Sequence, residues 1–279
     1  MSKKIPKEIK EDIVDFYKLH PVTIDFMCEK YGYSAPTILK ILSQYGVKAW
    51  SKNKLFSPYL NEDYFNIINS HKKAYFLGLL TTDGCVFWKN KKHAFVTIEL
   101  QARDKYILEE LLASVYSNRK LVYTKKSNTY TATITSTEMV KDLEQYHIKP
   151  KSSLTQKFYT KLPDEYLPDY YRGLIDGDGS FAFYSRPKRS VHRKAIRMCS
   201  GSLSFMEDFI DVLSSQLGVN RVKIKHSEED HLYECAWTRN DDLETIIIFL
   251  YSTKGPYLTR KKETADKILR EIREYRDKR

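Results

Sequence analysis

Phe76-Leu77-Gly78-Leu79-Leu80-Thr81-Thr82-Asp83-Gly84 and Tyr171-Arg172-Gly173-Leu174-Ile175-Asp176-Gly177-Asp178-Gly179 follow one pattern. Each is an apolar stretch of helical character with Gly third, Asp eighth and Gly ninth. Five of the chain's ten glycines, Gly78, Gly84, Gly173, Gly177 and Gly179, fall within them. Glycine inside a helix costs roughly 1 kcal/mol against alanine, so such placement needs a cause. Close face-to-face packing of two helices supplies one, because small residues let the backbones approach. The ninth-position glycines are expected to take a positive φ and release the chain into a strand. The two aspartates then lie at helix C-termini, where the dipole disfavours an acid by ~0.3–1 kcal/mol. Paired helices also bring the carboxylates side by side, and a divalent cation relieves both penalties. With hard oxygen donors and few other ligands, the expected ion is Mg²⁺, or a similar cation such as Mn²⁺, completing its shell with water and phosphate.

Outward from each stretch the chain repeats one order of elements. After the first come hairpin strands 85–89 and 94–100, a helix 104–116, strands 121–125 and 130–135, and a helix 137–146. After the second come strands 181–185 and 195–199, a helix 205–217, strands 222–225 and 232–237, and helices 242–250 and 258–272. The fold class is therefore α+β, with two pseudo-symmetric αββαββα halves spanning 72–150 and 168–279. A proline-bearing linker, 151–167, separates them.

Residues 1–50 read as three short helices forming a small all-α domain of helix-turn-helix character, joined by a linker, 51–71. Ile24, Cys28, Gly32, Ile38 and Leu42 are placed where its helices cross, with Ser34 as the N-cap of the third and Leu39 in its apolar set. That third helix and its exit carry Thr37, Lys40, Gln44, Lys48, Lys52 and Lys54 without an acid, which suits DNA contact.

Both nonapeptides resemble the defining motif of the LAGLIDADG homing endonucleases, in the single-chain form with two motifs. YRGLIDGDG agrees with that consensus at six of nine positions and FLGLLTTDG at four, including the eighth-position Asp. The likeness runs through roughly residues 72–275 and implies an antiparallel saddle-shaped sheet that serves as a DNA platform. The resemblance gives Asp83 and Asp178 the metal-binding, catalytic role, one acid for each strand. The first copy departs from it at Thr81, where the second has Asp176. The same resemblance implies a surrounding set of polar and basic groups. Gln101 would order water, with Ser200 or Ser202 as its counterpart, and Lys151 and Lys261 would stabilise charge on the phosphorane.

A two-stranded ribbon fits the major groove, where base edges are distinguishable. The segment Arg186 to Arg197 supplies six cations, Arg186, Lys188, Arg189, Arg193, Lys194 and Arg197, and no acid. Arg221, Lys223 and Lys225 alternate and are expected on one strand face. Arg119, Lys120, Lys125 and Lys126 form the comparable cluster of the first half.

Composition agrees. There are 47 Lys+Arg against 36 Asp+Glu, a net charge of +11 that favours a polyanionic partner. Hydrophobic residues at 42% exclude a disordered chain. No apolar run approaches the ~18 residues of a membrane span. MSKKIPKEIKED has no apolar segment of secretory type, and Cys28, Cys85, Cys199 and Cys235 form no CxxC pair. The expectation is a monomeric cytoplasmic protein of a bacterium or phage-infected host, with an organelle as the other setting, and a long asymmetric duplex DNA as target. Two other functions fit the same fold: a group I intron RNA maturase, and a transcription regulator that binds DNA without cutting it. An intein is disfavoured, since Met1 is no nucleophile and the last residues, Tyr275-Arg276-Asp277-Lys278-Arg279, are not His-Asn.

Overall fold

In the computed structural model, residues 5–20, 22–50, 59–89, 93–184 and 192–277 are described. The chain divides into two compact units, residues 1–61 with 115–119, and residues 62–114 with 120–279. The first unit contains α1 (Lys7–Leu19), α2 (Ile24–Tyr31) and α3 (Ala35–Gln44). Thr23 caps α2, its hydroxyl accepting from the Phe26 N–H at 3.1 Å. The core is Ile13, Val14, Tyr17, Met27, Ile38, Ile41 and Leu42. Its buried α2 residue is Met27; Ile24 and Cys28 only flank the core, and Leu39 is exposed. Gly32 sits at φ +69° with open space where a Cβ would stand, so it serves the αL exit of α2 and no close helix crossing. Ser34 holds the N-cap position of α3 without bonding a backbone N–H, and its hydroxyl pairs instead with that of Thr37 at 2.9 Å.

The second unit carries both halves. Half one is α4 (His71–Asp83), β1 (Gly84–Lys89), β2 (His93–Gln101), α5 (Lys105–Ser114), β3 (Val122–Thr124), β4 (Thr129–Thr135) and α6 (Thr137–Gln145). Half two is α7 (Leu167–Gly177), β5 (Gly179–Tyr184), β6 (Arg193–Ser200), α8 (Leu203–Leu217), β7 (Lys225–Ser227), β8 (Leu232–Trp237) and α9 (Asn240–Leu250), followed by α10 (Thr259–Asp277). Each half forms an antiparallel four-stranded sheet, ordered β1-β2-β4-β3 and β5-β6-β8-β7. Alternation buries one face of each sheet: Ala94, Val96, Ile98 and Leu100 along β2, and Ile196 and Met198 along β6.

The motif helices α4 and α7 pack on each other at the centre. Every residue of α7 from Leu167 to Asp176 is buried, including the polar Asp169, Arg172 and Asp176. A Cβ on Gly78 would stand 2.2 Å from the Tyr170 carbonyl oxygen, and one on Gly173 would stand 2.2 Å from that of Tyr75. The third-position glycines are thus required by helix–helix approach. The ninth-position glycines have a different cause from the expected positive φ. Gly84 has φ −78° and Gly179 is absent from the positive-φ residues. Instead, a Cβ would meet Leu80 O at 2.3 Å or Ile175 Cα at 2.7 Å, because the chain turns back tightly over its own helix.

The second motif is anchored by polar groups. Asp169 pairs with Arg172 and accepts from the Thr253 hydroxyl at 2.8 Å, while His71 Nδ1 lies 2.8 Å from its other oxygen. Arg172 also donates to the Pro256 carbonyl at 2.7 Å and to that of Leu250. One buried cation therefore fastens α7 to the loop before α10, with its charge matched by Asp169.

Candidate active site

Asp83 ends α4, and Asp178 caps α7, its N–H donating to Leu174 O at 3.1 Å. Because the glycine-mediated approach holds the helices together, these ends are neighbours. A Cβ on Gly177 would lie 2.9 Å from Asp83 Oδ2 and 1.9 Å from Thr82 Oγ1. Loss of water and the facing charge of Asp178 push the Asp83 carboxyl up to about 7. Asp178 is also raised, by desolvation, despite standing more open. Asp176 differs from both. Its Oδ2 accepts from Tyr75 OH at 3.0 Å and from the Leu258 N–H at 2.8 Å, and burial raises it to about 6. It is a structural tie between α7 and the start of α10. Thr81, its counterpart, donates back to Leu77 O at 2.8 Å and pairs with the Tyr170 hydroxyl, so it supplies no carboxylate tie like that of Asp176.

Lys261 lies in the first turn of α10, where the sequence expectation made it a donor to the reacting phosphate. The fold uses it otherwise. Its buried ammonium reaches the carbonyls of Ile175, Asp176 and Gly179 at 2.6, 2.6 and 2.7 Å, and that of Gly177 at 3.2 Å. Three N–H groups meet four acceptors, leaving none for a hydroxide or phosphate. Lys261 closes the C-terminus of α7 and so fixes the backbone beside Asp178. Burial lowers its pKa to about 8. α10 is held in place from half one as well. The Tyr106 hydroxyl donates to Tyr257 O at 2.9 Å and accepts from the Thr259 N–H at 2.7 Å, and Arg260 pairs with Asp104 at 2.9 Å.

Lys151 is exposed at φ +58° and lines a cavity of about 550 Å³ with Thr81, Thr82, Asp178 and His231. Gln101 is exposed at the end of β2. Strand register corrects its counterpart. Gly84 faces Ile98 and Gly179 faces Met198, so Gln101 corresponds to Gly201, which has no side chain. Ser200 and Ser202 are spent locally: Ser202 Oγ accepts from Phe205 N–H as the N-cap of α8, and Ser200 Oγ accepts from Ser202 N–H.

Among the basic residues, Arg193 and Arg197 point away from the core on β6, Arg197 beside Glu234 at 3.6 Å. Lys194 does not join them. The strand's alternation turns it inward, where it is buried and pairs with Glu271 of α10 at 3.3 Å. Lys225 lies on β7, whereas Arg221 and Lys223 precede the ladder, so the three share no strand. Arg221 is held by Asp211 at 2.5 Å. Lys125 and Lys126 occupy the β3–β4 turn and Lys120 precedes β3, all exposed; Arg119 lies in the first unit. Lys40, Gln44 and Lys48 are exposed on or after α3, and Thr37 is half-buried. Arg186, Lys188, Arg189, Lys52 and Lys54 lie outside the described residues.

A divalent cation fits this site by donor chemistry. Asp83 and Asp178 are adjacent hard oxygen ligands held at an electrostatic cost, while Asp176 is buried and tied through Oδ2 to Tyr75 and Leu258, its Oδ1 left without a partner among the described residues. Among the described residues no cluster of three or more His, Cys, Asp or Glu side chains forms a metal cage. Water, backbone carbonyls and oxygen ligands from outside the protein would have to complete the shell.

No family model matches the sequence, and no curated protein matches it. Solved structures do. The fold is similar to meganuclease I-SmaMI bound to uncleaveable DNA, at 16% identity and TM-score 0.54, over 76% of this chain and 92% of that one. It is similar to the I-LtrWI LAGLIDADG homing endonuclease bound to target DNA, at 12% identity and TM-score 0.53, over 78% and 92% of the two chains. A third is the LAGLIDADG meganuclease I-AabMI bound to uncleaved DNA, at 14% identity and TM-score 0.55, over 75% and 92%. The chain has the fold of the single-chain LAGLIDADG homing endonucleases. Among the described residues no helix is long and apolar enough to cross a membrane.

Proposed function

We propose that this chain, acting as a monomer, is a site-specific double-strand DNA endonuclease that hydrolyses one phosphodiester on each strand. The observation that carries this reading is the meeting of Asp83 and Asp178, two raised carboxylates at the ends of helices packed backbone to backbone. A fold needing only a binding surface gains nothing from that repulsion. The two acids would hold Mg²⁺ or Mn²⁺, which supplies Lewis-acid charge to the scissile phosphate and makes a bound water more acidic. The protein's own contribution is positional. Asp83 and Asp178 each serve one strand, Lys261 fixes the backbone around Asp178, and the buried Arg172 network fixes α7. Lys151 and Gln101, both exposed, act on the solvent side of the site as donor and water-ordering group. The outward sheet faces and their basic loops hold the duplex, with phosphate contacts supplying affinity and base contacts the choice of site.

The experiment is incubation of the purified protein with Mg²⁺ and genomic DNA that flanks its gene, joined without the gene. A discrete double-strand break is expected. Asp83→Asn and Asp178→Asn should each reduce cleavage by about 10³-fold or more while leaving binding intact. Absence of a specific break, or breaks indifferent to both substitutions, overturns the reading.

A further inference from the structure

The two sheets present chemically different outward faces. In the first, Phe87 opposes Phe95, Cys85 opposes Thr97, and Thr97 opposes Thr133, while Glu99 opposes Thr131. These residues alternate with the buried Val86, Val96, Ile98, Ala132 and Ile134 and therefore share the face turned from the core. Phe87 and Phe95 stack with ring centroids 4.8 Å apart. Among the described strand residues of this face only Lys89, at the end of β1, and Glu99 carry formal charge. Glu99 already accepts from the hydroxyls of Thr129 and Ser127. This face is one of threonine methyls, hydroxyls and aromatic rings, and its other cations Lys120, Lys125 and Lys126 lie off the strands.

The second face is cationic. Arg193 and Arg197 project from β6, Lys225 lies on β7 opposite Glu234, and Lys223 precedes that strand. With Tyr184 they line a groove of about 740 Å³. The Arg197–Glu234 pair is solvent-exposed at 3.6 Å, so it is a weak competitor for the guanidinium.

We infer that the two sheets read half-sites of opposite composition, the first an A·T-rich half-site through thymine methyl contacts and the second a guanine-rich one through Arg and Lys. The inference rests on the sheets being the DNA platform of the proposed endonuclease. Its chemistry is that of major-groove edges. Apolar groups such as Phe and the Thr methyl pack on the thymine C5 methyl, whereas Arg and Lys bind guanine O6 and N7. A nearly uncharged face gains little from guanine's acceptors, and a cationic face gains little from a methyl.

The test is selection of bound sites from a randomised duplex library by the full chain carrying Asp83→Asn and Asp178→Asn, followed by atom-level substitution in the recovered site. One half is expected to be A·T-rich and the other guanine-rich. Replacing thymine with uracil in the first half should weaken binding about three- to fivefold per contacted methyl. Replacing guanine with 7-deazaguanine in the second should weaken it about tenfold per contacted base. Thr131→Ser with Thr133→Ser should reduce the uracil effect and keep the 7-deazaguanine effect, and Arg197→Gln should do the reverse. Recovered sites with halves of equal composition, or a uracil effect absent from the native face, overturn the inference alone. A library that yields no preferred sequence overturns the DNA-reading function with it.

Discussion

Asp83 is the residue whose environment is most at odds with its charge. Its folded pKa, about 7, lies above the ordinary carboxylate value of 3.8. A raised carboxylate favours folding below the unfolded pKa, near 4, and that contribution is lost as pH rises through about 7. In chelator, Asp83→Asn should therefore raise the melting temperature at pH 8, by the equivalent of about 1–3 kcal/mol, and clearly less at pH 5. Adding Mg²⁺ to the native chain at pH 8 should recover much of that gain, read by thermal melting without any cleavage assay. Lys261 is tested differently. With Met there, four carbonyls lose their cation and the backbone beside Asp178 loosens. Lys261→Met should slow one strand's cleavage about tenfold to a hundredfold, so that nicked plasmid accumulates, with partial recovery in Lys261→Arg. Equal slowing of both strands would point to general loosening of the fold.

At the scale of elements, the central helix pair is set by backbone proximity. Gly78→Ala or Gly173→Ala places a methyl against a carbonyl oxygen that cannot turn aside, and the helices must separate. Each should destabilise by about 3 kcal/mol or more, measured by chemical denaturation. Gly218→Ala, at φ +66° with open space around it, should cost only about 1 kcal/mol. The comparison separates close approach from backbone conformation. The αββαββα order was legible in the periodicity of residues 72–279. Which lysines stay on the outward face of the sheet was not. Lys194 reads as one more cation in a basic run, and only the inward parity of β6 and the placement of Glu271 on α10 show where it goes.

For the whole molecule, the net charge of +11 now has a distribution. In the second unit cations stand on the second sheet and in the β3–β4 turn, the first unit carries its own on α3, and DNA binding should weaken steeply with salt. Lys40→Ala in the first unit should lower affinity for every sequence alike and reduce the slope of log affinity against log salt by about 1 if it meets a phosphate, measured by titration at several salt concentrations. An unchanged slope would assign α3 to another task.

The duplicated nonapeptide, the glycines that permit two helices to touch, the paired aspartates and the alternation that builds two sheets are all legible along the chain. These depend on side-chain size and period, which neighbouring residues carry. Tertiary structure decided what became of the polar groups between elements. Asp176 ties Leu258, Arg172 holds the loop before α10, and Lys261 spends its charge on carbonyls some 80 residues earlier in the chain. Nothing local distinguishes that lysine from a solvated one. Its role exists only because α10 is brought against the end of α7, where burial makes every unpaired donor and acceptor costly.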